Sequence, residues 1–224
     1  MARVYCCGRE STRTVASFHT VGLMVFSNQL EIFVPLDTNR TVVRGHLEKL
    51  RSRHRIASTA LRDTLRSAVL QFTQPMPGDS IYAITDGDDD ASRTDLRTVE
   101  EILVGRGIRL FMLSIESKEY GLTQKYWNRS ATHNLVRATG GNSVLISESR
   151  AESLSGMGEG PTSQFDDLTT LSQQLQLIST FARVEVELPE VLKKPEDWDL
   201  RAVGMTGLDL VVEYPHKLMP CLEK

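Results

Sequence analysis

The residues best suited to chemistry lie in one stretch, IYAITDGDDD at positions 81–90. A short apolar run delivers Asp86, Gly87 lets the chain turn sharply after the carboxylate, and Asp88, Asp89 and Asp90 crowd further negative charge into the same loop. Such crowding is costly unless the charges are solvated or neutralised, and a hard divalent cation with oxygen ligands is the natural neutraliser. The plain alternative is a solvated acidic loop whose aspartates cap the helix that follows. A second group of oxygens stands at IASTAL, positions 56–61, where Ser58 and Thr59 precede a strongly amphipathic run. Thr59 is placed to join Asp86, as a direct ligand or through a water. The alternative is that Ser58 or Thr59 caps the helix N-terminus.

Other reactive residue types form no pattern. Cys6, Cys7 and Cys221 are odd in number and two are adjacent, which makes neither a disulfide framework nor a zinc site. His19, His46, His54, His133 and His216 have no metal-ligand spacing, and there is no H-E-x-x-H or G-x-S-x-G. They read as ordinary surface or core histidines. Trp127 and Trp198 read as packing residues, Arg51, Arg53 and Arg55 as a solvated helix end. Gly156, Gly158 and Gly160 lack the flanking strand and helix of a nucleotide-binding loop.

The elements that must position the acidic loop alternate between strand and helix. Residues 20–27 (TVGLMVFS) form a nearly continuous apolar run, the pattern of a strand covered on both faces. Asn28-Gln29 then turns into a second strand at 30–34, stopped by Pro35. Helical spacing follows at 41–52 (Val43, Leu47, Leu50) and at 60–74 (Leu61, Leu65, Ala68, Val69, Phe72). A buried strand at 80–85 leads into the acidic loop. Beyond it come a helix through Leu96, Val99 and Leu103, a strand at 108–115, a less regular helical stretch around 127–138, and a strand at 143–146. Strands alternating with helices of this length predict an α/β fold: a doubly wound, mainly parallel sheet flanked by helices on both faces. In such sheets ligands bind at the carboxyl ends of the strands, which is where Asp86 falls.

After residue 148 the pattern changes. Residues 149–163 are rich in Gly, Ser and Glu and read as a flexible loop. Leu168, Leu171, Leu175 and Ile178 mark a helix, and apolar residues alternate with charged ones at 183–188 and 208–214. Strict alternation implies one wet face, so these two segments are expected to pair as antiparallel strands. The expected organisation is an atypical N-terminus at 1–19, the main domain at 20–148, a loop at 149–163 and an extension of helix and strands at 164–224. Composition agrees with a globular chain: 40% hydrophobic, 25% charged, 26 Lys+Arg against 29 Asp+Glu for a net charge of −3. That balance argues against nucleic acid or an anionic membrane as partner, and no apolar run reaches membrane-spanning length.

Taken together, the segments VGLMVFS, STAL, YAITDG, IRLFMLSI and LVRATGGNSVLI occur in the order and spacing of a von Willebrand factor A (VWA) domain, over residues 20–148. The chain most resembles a bacterial subgroup, abundant in acidobacteria, whose TALYDA-like helix start and TDG-D loop read here as TALRDT (59–64) and TDGDDD (85–90). The resemblance implies a metal-ion-dependent adhesion site in which magnesium is held by a D-x-S-x-S loop, a threonine and an aspartate, a partner's carboxylate completing the coordination. The threonine maps to Thr59 and the aspartate to Asp86, with Ser58, Gly87 and Asp88 alongside. The D-x-S-x-S loop does not map: residues 1–19 contain no Asp and are too few for the family's first strand, metal loop and helix. The expectation is a natural start further upstream, together with an export signal that residues 1–10 do not show. The alternative is a variant in which residues 3–7 (RVYCC) act as the first strand and Glu10, Ser11 and Thr12 offer oxygens. Either way magnesium should bind weakly or not at all, since two groups fall well short of the roughly six oxygens a hard cation takes.

The function expected from this sequence is a non-catalytic, protein-binding module of VWA type with an incomplete adhesion site. A rival reading is a metal-dependent hydrolase of phosphorylated substrates using Asp86 and Asp88–Asp90. It lacks a nucleophile, a base and a phosphate-gripping cation, Arg93 being the one cation nearby in sequence. A third reading is a non-functional truncated fragment. Partner, oligomeric state and compartment are left open.

Overall fold

The computed structural model describes residues 2–3, 20–50, 58–76, 78–86, 88–116, 130–147, 164–179, 187–188, 196–199 and 214–218. Its strands are β1 (Ala2–Arg3), β2 (Val21–Phe26), β3 (Leu30–Thr38), β4 (Ser80–Thr85), β5 (Arg109–Glu116), β6 (Ser143–Ser147), β7 (Glu187–Leu188), β8 (Glu196–Asp197) and β9 (Lys217–Leu218). Its helices are α1 (Arg40–Leu50), α2 (Leu61–Val69), α3 (Leu96–Gly105), α4 (Ala131–Ala138) and α5 (Gln164–Ser179).

The fold is α/β. Strands β4, β5 and β6 form a parallel sheet in that order, with Ile81 opposite Leu110, Ala83 opposite Met112 and Thr85 opposite Ser114. Because successive side chains alternate between faces, these pairs lie on one side and Tyr82 and Phe111 on the other. The first side meets Leu61, Leu65 and Val69 of α2, Val99 and Leu103 of α3, and Leu135 and Val136 of α4 in a single buried cluster. Helices α3 and α4 therefore cross over on the same face, as two right-handed crossovers stepping in one direction must.

The second side is covered by α5, whose seam differs from the apolar stripe expected of it. Leu175 is 49% exposed, whereas Gln174 is 1% exposed. Gln174 accepts the Tyr82 hydroxyl at 2.9 Å and donates to the carbonyls of Met112 (3.0 Å) and Asn142 (3.1 Å). Nearby, Arg109 donates to the carbonyls of Leu177 and Ile178 at the end of α5 and lies 5.1 Å over the Phe111 ring. Of the expected stripe Ile178 is buried, so polar groups dock this helix alongside apolar ones. The side chains of Leu168 and Leu171 lie outside the described residues.

The N-terminal hairpin departs from the reading of a strand buried on both faces. Strand β2 is half-buried throughout and pairs, among the described residues, with β3 in a sheet of its own. Its turn spans residues 27–29 rather than two residues, since Phe26 pairs with Leu30. Strand β3 also runs past Pro35 to Thr38. The register slips between the Leu23–Val34 and Val21–Thr38 pairs, and this irregularity accommodates a residue with no N–H to give. Helix α2 touches both β2 and β4, and Phe26 packs on the main core. Helix α2 stops at Val69, short of the expected residue 74, and in α1 Val43 is buried while Leu47 stays exposed.

Two antiparallel strand pairs are described in the C-terminal region. Glu187 and Leu188 lie antiparallel to Arg3 and Ala2, and a second antiparallel pair joins Glu196–Asp197 to Lys217–Leu218. The latter is fixed by Trp198, whose amide donates to the His216 carbonyl and whose ring lies edge-on to Tyr214. Residues 184–186 and 208–213, the rest of the expected pair, lie outside the described residues. The described end of the expected makeshift first strand, Arg3, pairs with Glu187 and not with the parallel sheet. Among the described residues no helix is long and apolar enough to cross a membrane.

Candidate functional site

The carboxyl edge of the parallel sheet carries the residues singled out in the sequence. Thr85, the last residue of β4, is buried, and Asp86 follows as an exposed residue. One Asp86 carboxylate oxygen accepts the Thr85 hydroxyl and the Asp88 amide, each at 3.3 Å. Gly87 lies outside the described residues.

The rest of the loop is fastened to the start of α2. Asp90 accepts the Thr59 amide at 2.7 Å and the Ser58 hydroxyl at 2.9 Å, while the amides of Asp90 and Ala91 donate to the Thr59 carbonyl. Asp89 accepts the Arg62 amide and the Arg62 Nε, both at 2.8 Å. In return Asp63 accepts the amides of Arg93 (3.0 Å) and Thr94 (2.8 Å), and its own amide donates to the Ser92 hydroxyl. The orphan N–H groups of a helix N-terminus need acceptors. For α2 they come from a loop some thirty residues away.

Two expectations change as a result. The hydroxyls of Ser58 and Thr59 do not cap α2, whose N-cap residue Ala60 offers no side-chain hydrogen bond. Of the loop aspartates, Asp89 caps the preceding helix at the Arg62 amide, Asp90 holds Thr59 just ahead of that helix, and it is Asp95 that caps the following one, accepting the Thr98 amide at 2.8 Å. Arg62 is a cation on the loop that reading along the chain missed, because it stands 27 positions from its partner Asp89.

Electrostatics separates the engaged carboxylates from the crowded one. The Thr94 hydroxyl, with the Arg93 amide, holds Asp63 below the usual carboxylate range, and the Thr59 amide does the same for Asp90. Asp88 is pushed up by partial burial, reinforced by the charges of Asp86 and Asp90. Thr59 is thus held by Asp90, and Asp86 by the Asp88 amide, at two points of the same acidic loop.

This donor set does not fit a resident hard cation. The Asp89 and Asp90 carboxylates are engaged with backbone and side-chain donors of α2, and the oxygens left fall short of about six. Among the described residues no three His, Cys, Asp or Glu side chains come together as a metal site. What the arrangement provides is a loop fastened to the α2 segment through Asp89 and Asp90, with two exposed residues, Asp86 and Asp88, at the sheet's edge.

Elsewhere, His133 is neither a plain surface residue nor a core one. Its Nδ1 lies 2.8 Å from the Ser143 hydroxyl oxygen, in a cleft at the other end of the sheet. Cys6, Cys7, Cys221, His19, His54, Trp127, Glu10, Ser11, Thr12 and the arginines at 51, 53 and 55 lie outside the described residues.

No model of a known protein family matches this chain, and no characterised protein matches it by sequence. Among solved structures it is similar to the crystal structure of a conserved hypothetical protein, BatB, from Bacteroides thetaiotaomicron. The match has 18% identity and a TM-score of 0.46, and covers 71% of this chain and 78% of that one.

Proposed function

We propose that this chain is a non-catalytic, protein-binding module of VWA type that works through the carboxyl edge of its parallel sheet without a resident metal. The observation that carries this reading is the acidic loop itself. Its Asp89 and Asp90 are spent on fastening it to α2, which leaves Asp86 and Asp88 displayed on a fixed backbone. A loop held by protein donors keeps its shape with no cation present, and a preorganised edge binds at lower entropic cost than a mobile one. The hydrolase reading is disfavoured because Arg62, a cation that reaches the loop, is committed to Asp89.

Calorimetric titration with magnesium and manganese tests the metal-independent part. The expected result is no binding tighter than about millimolar, the weak end for oxygen-ligand sites. Tighter binding that Asp86→Ala abolishes would restore a metal-bridged adhesion site. Tighter binding that survives Asp86→Ala would place the cation elsewhere. Affinity capture with the wild-type chain and with Asp86→Ala/Asp88→Ala tests the interaction edge. A partner retained by the first, lost by the second and unaffected by chelator is the expected outcome. Magnesium-dependent turnover of a phosphomonoester would overturn the non-catalytic reading.

A further inference from the structure

At the amino edge of the parallel sheet, opposite the acidic rim, a cleft of about 230 Å³ is lined by His133, Arg137, Gly141, Asn142 and Ser143. His133 and Arg137 stand one helical turn apart on α4 and so share a face. Ser143 opens β6, and its hydroxyl oxygen lies 2.8 Å from His133 Nδ1. Every side chain with a polar group here can donate a hydrogen bond, one of them carries a permanent positive charge, and no carboxylate lines the cleft among the described residues.

The walls are built rather than incidental. The Ser130 hydroxyl accepts the His133 amide and starts α4, and Gly140 ends the helix at φ +72°. Gly141 presses so closely on β5 that an added Cβ would lie 1.7 Å from the Leu110 carbonyl oxygen. The Asn142 carbonyl accepts both the Met112 amide and the Gln174 side chain. Helix end, loop and strand start are thereby fixed on three separate elements.

We propose that this cleft binds a small oxyanion of the phosphate class. A forked guanidinium matches the tetrahedral oxygens of such an anion, and the hydroxyl, amide and imidazole are further groups able to donate. Its size agrees with the class: pockets for drug-sized ligands start at about 300 Å³, so this cleft has room for a single phosphate-sized group. The proposal is independent of the reading given to the acidic rim.

The test is titration of the full chain with inorganic phosphate, followed by amide chemical shifts and by calorimetry. Saturable one-site binding is expected, with the largest shifts at Arg137 and at residues 141–143. Arg137→Ala should weaken it about tenfold or more, the scale of a lost charged hydrogen bond. Arg137→Lys, which keeps the charge and loses the fork, should fall between. Arg66→Ala, outside the cleft, should leave binding unchanged. Free phosphoserine in a parallel titration separates the two sources of the anion. Tighter binding than phosphate points to a phosphomonoester ligand, equal or weaker binding to the free ion. Because the Arg137 side chain is exposed, an unchanged melting temperature will show that the variant folds. Shifts that never saturate, or saturable binding that Arg137→Ala leaves intact, would overturn the proposal.

Discussion

At the scale of single residues, the acidic loop shows how a charge cluster becomes structural. The number and position of its aspartates are plain in the chain, but their partners are not, because hydrogen bonds from Asp89 and Asp90 run back to α2 across some thirty residues. Local capping rules look only a few positions ahead and so assign the loop's aspartates to the helix that follows, whose cap is in fact Asp95, while missing the contacts of Asp89 and Asp90 with the segment before. Asp89→Ala is therefore expected to behave as the loss of a helix cap, costing about 1 kcal/mol and lowering the melting temperature by about 2–4 °C. A thermal melt unchanged by this substitution would mean that the Asp89–Arg62 contact contributes nothing. Acid should act on the same loop with a definite sign. Asp63, Asp90 and Asp95 are held below their ordinary values, by the Thr94 hydroxyl, the Thr59 amide and the Thr98 hydroxyl in turn. Their stabilisation is complete above the ordinary carboxylate pKa of about 4 and is lost as pH falls through the lower folded values. Asp88 is raised, so its contribution is opposite: a cost at neutral pH that protonation relieves. Asp88→Asn should thus stabilise the chain at neutral pH and lose that advantage in acid, which denaturant melts at the two pH values will read.

At the scale of elements, the sequence is most legible where burial is apolar and least where polar groups do the docking. Strands β4, β5 and β6 and helix α3 fall within a residue or two of their expected positions, because apolar runs and glycines mark them strongly. Helix α5 also lies where its leucines suggest. Its facing residue is nonetheless Gln174, which periodicity counts as polar and therefore as solvent-exposed. Only the positions of the Tyr82 hydroxyl and of two strand-edge carbonyls, which no pattern reports, explain why an amide belongs there. Gln174→Leu keeps the volume and removes all three hydrogen bonds, leaving buried polar groups without this partner. The expected cost is about 2–4 kcal/mol, larger than for Leu175→Ala on the exposed side of the same helix. Urea unfolding of the two variants provides the comparison, and the reverse order would show that α5 docks mainly through its leucines.

At the scale of the whole molecule, the α/β layering was readable from alternation alone, but the division of its strands into separate sheets was not. The apolar run at 20–27 reads as a strand covered on both faces that turns at Asn28-Gln29 into a hairpin with β3, but nothing local says that, among the described residues, this pair stands apart from the parallel sheet. The buried cluster draws on α2, β4, α3, β5 and α4, whereas among the described residues the hairpin packs on it through the partly buried Phe26. Amide exchange should resolve this difference, since regions with few buried contacts open at lower free energy than the core. The amides of residues 110–113, on a strand paired on both sides, are expected to exchange only through global unfolding. Those of β2 and β3 should exchange through a smaller opening that leaves the parallel sheet intact, and their apparent free energy should respond less to denaturant. Phe26→Ala, which cuts the hairpin's link to the main core, should deepen the contrast by speeding exchange in β2 and β3 more than in β5. Equal protection of both sheets, falling together with denaturant, would mean that α2 couples them into one cooperative unit and that their separation is one of pairing alone.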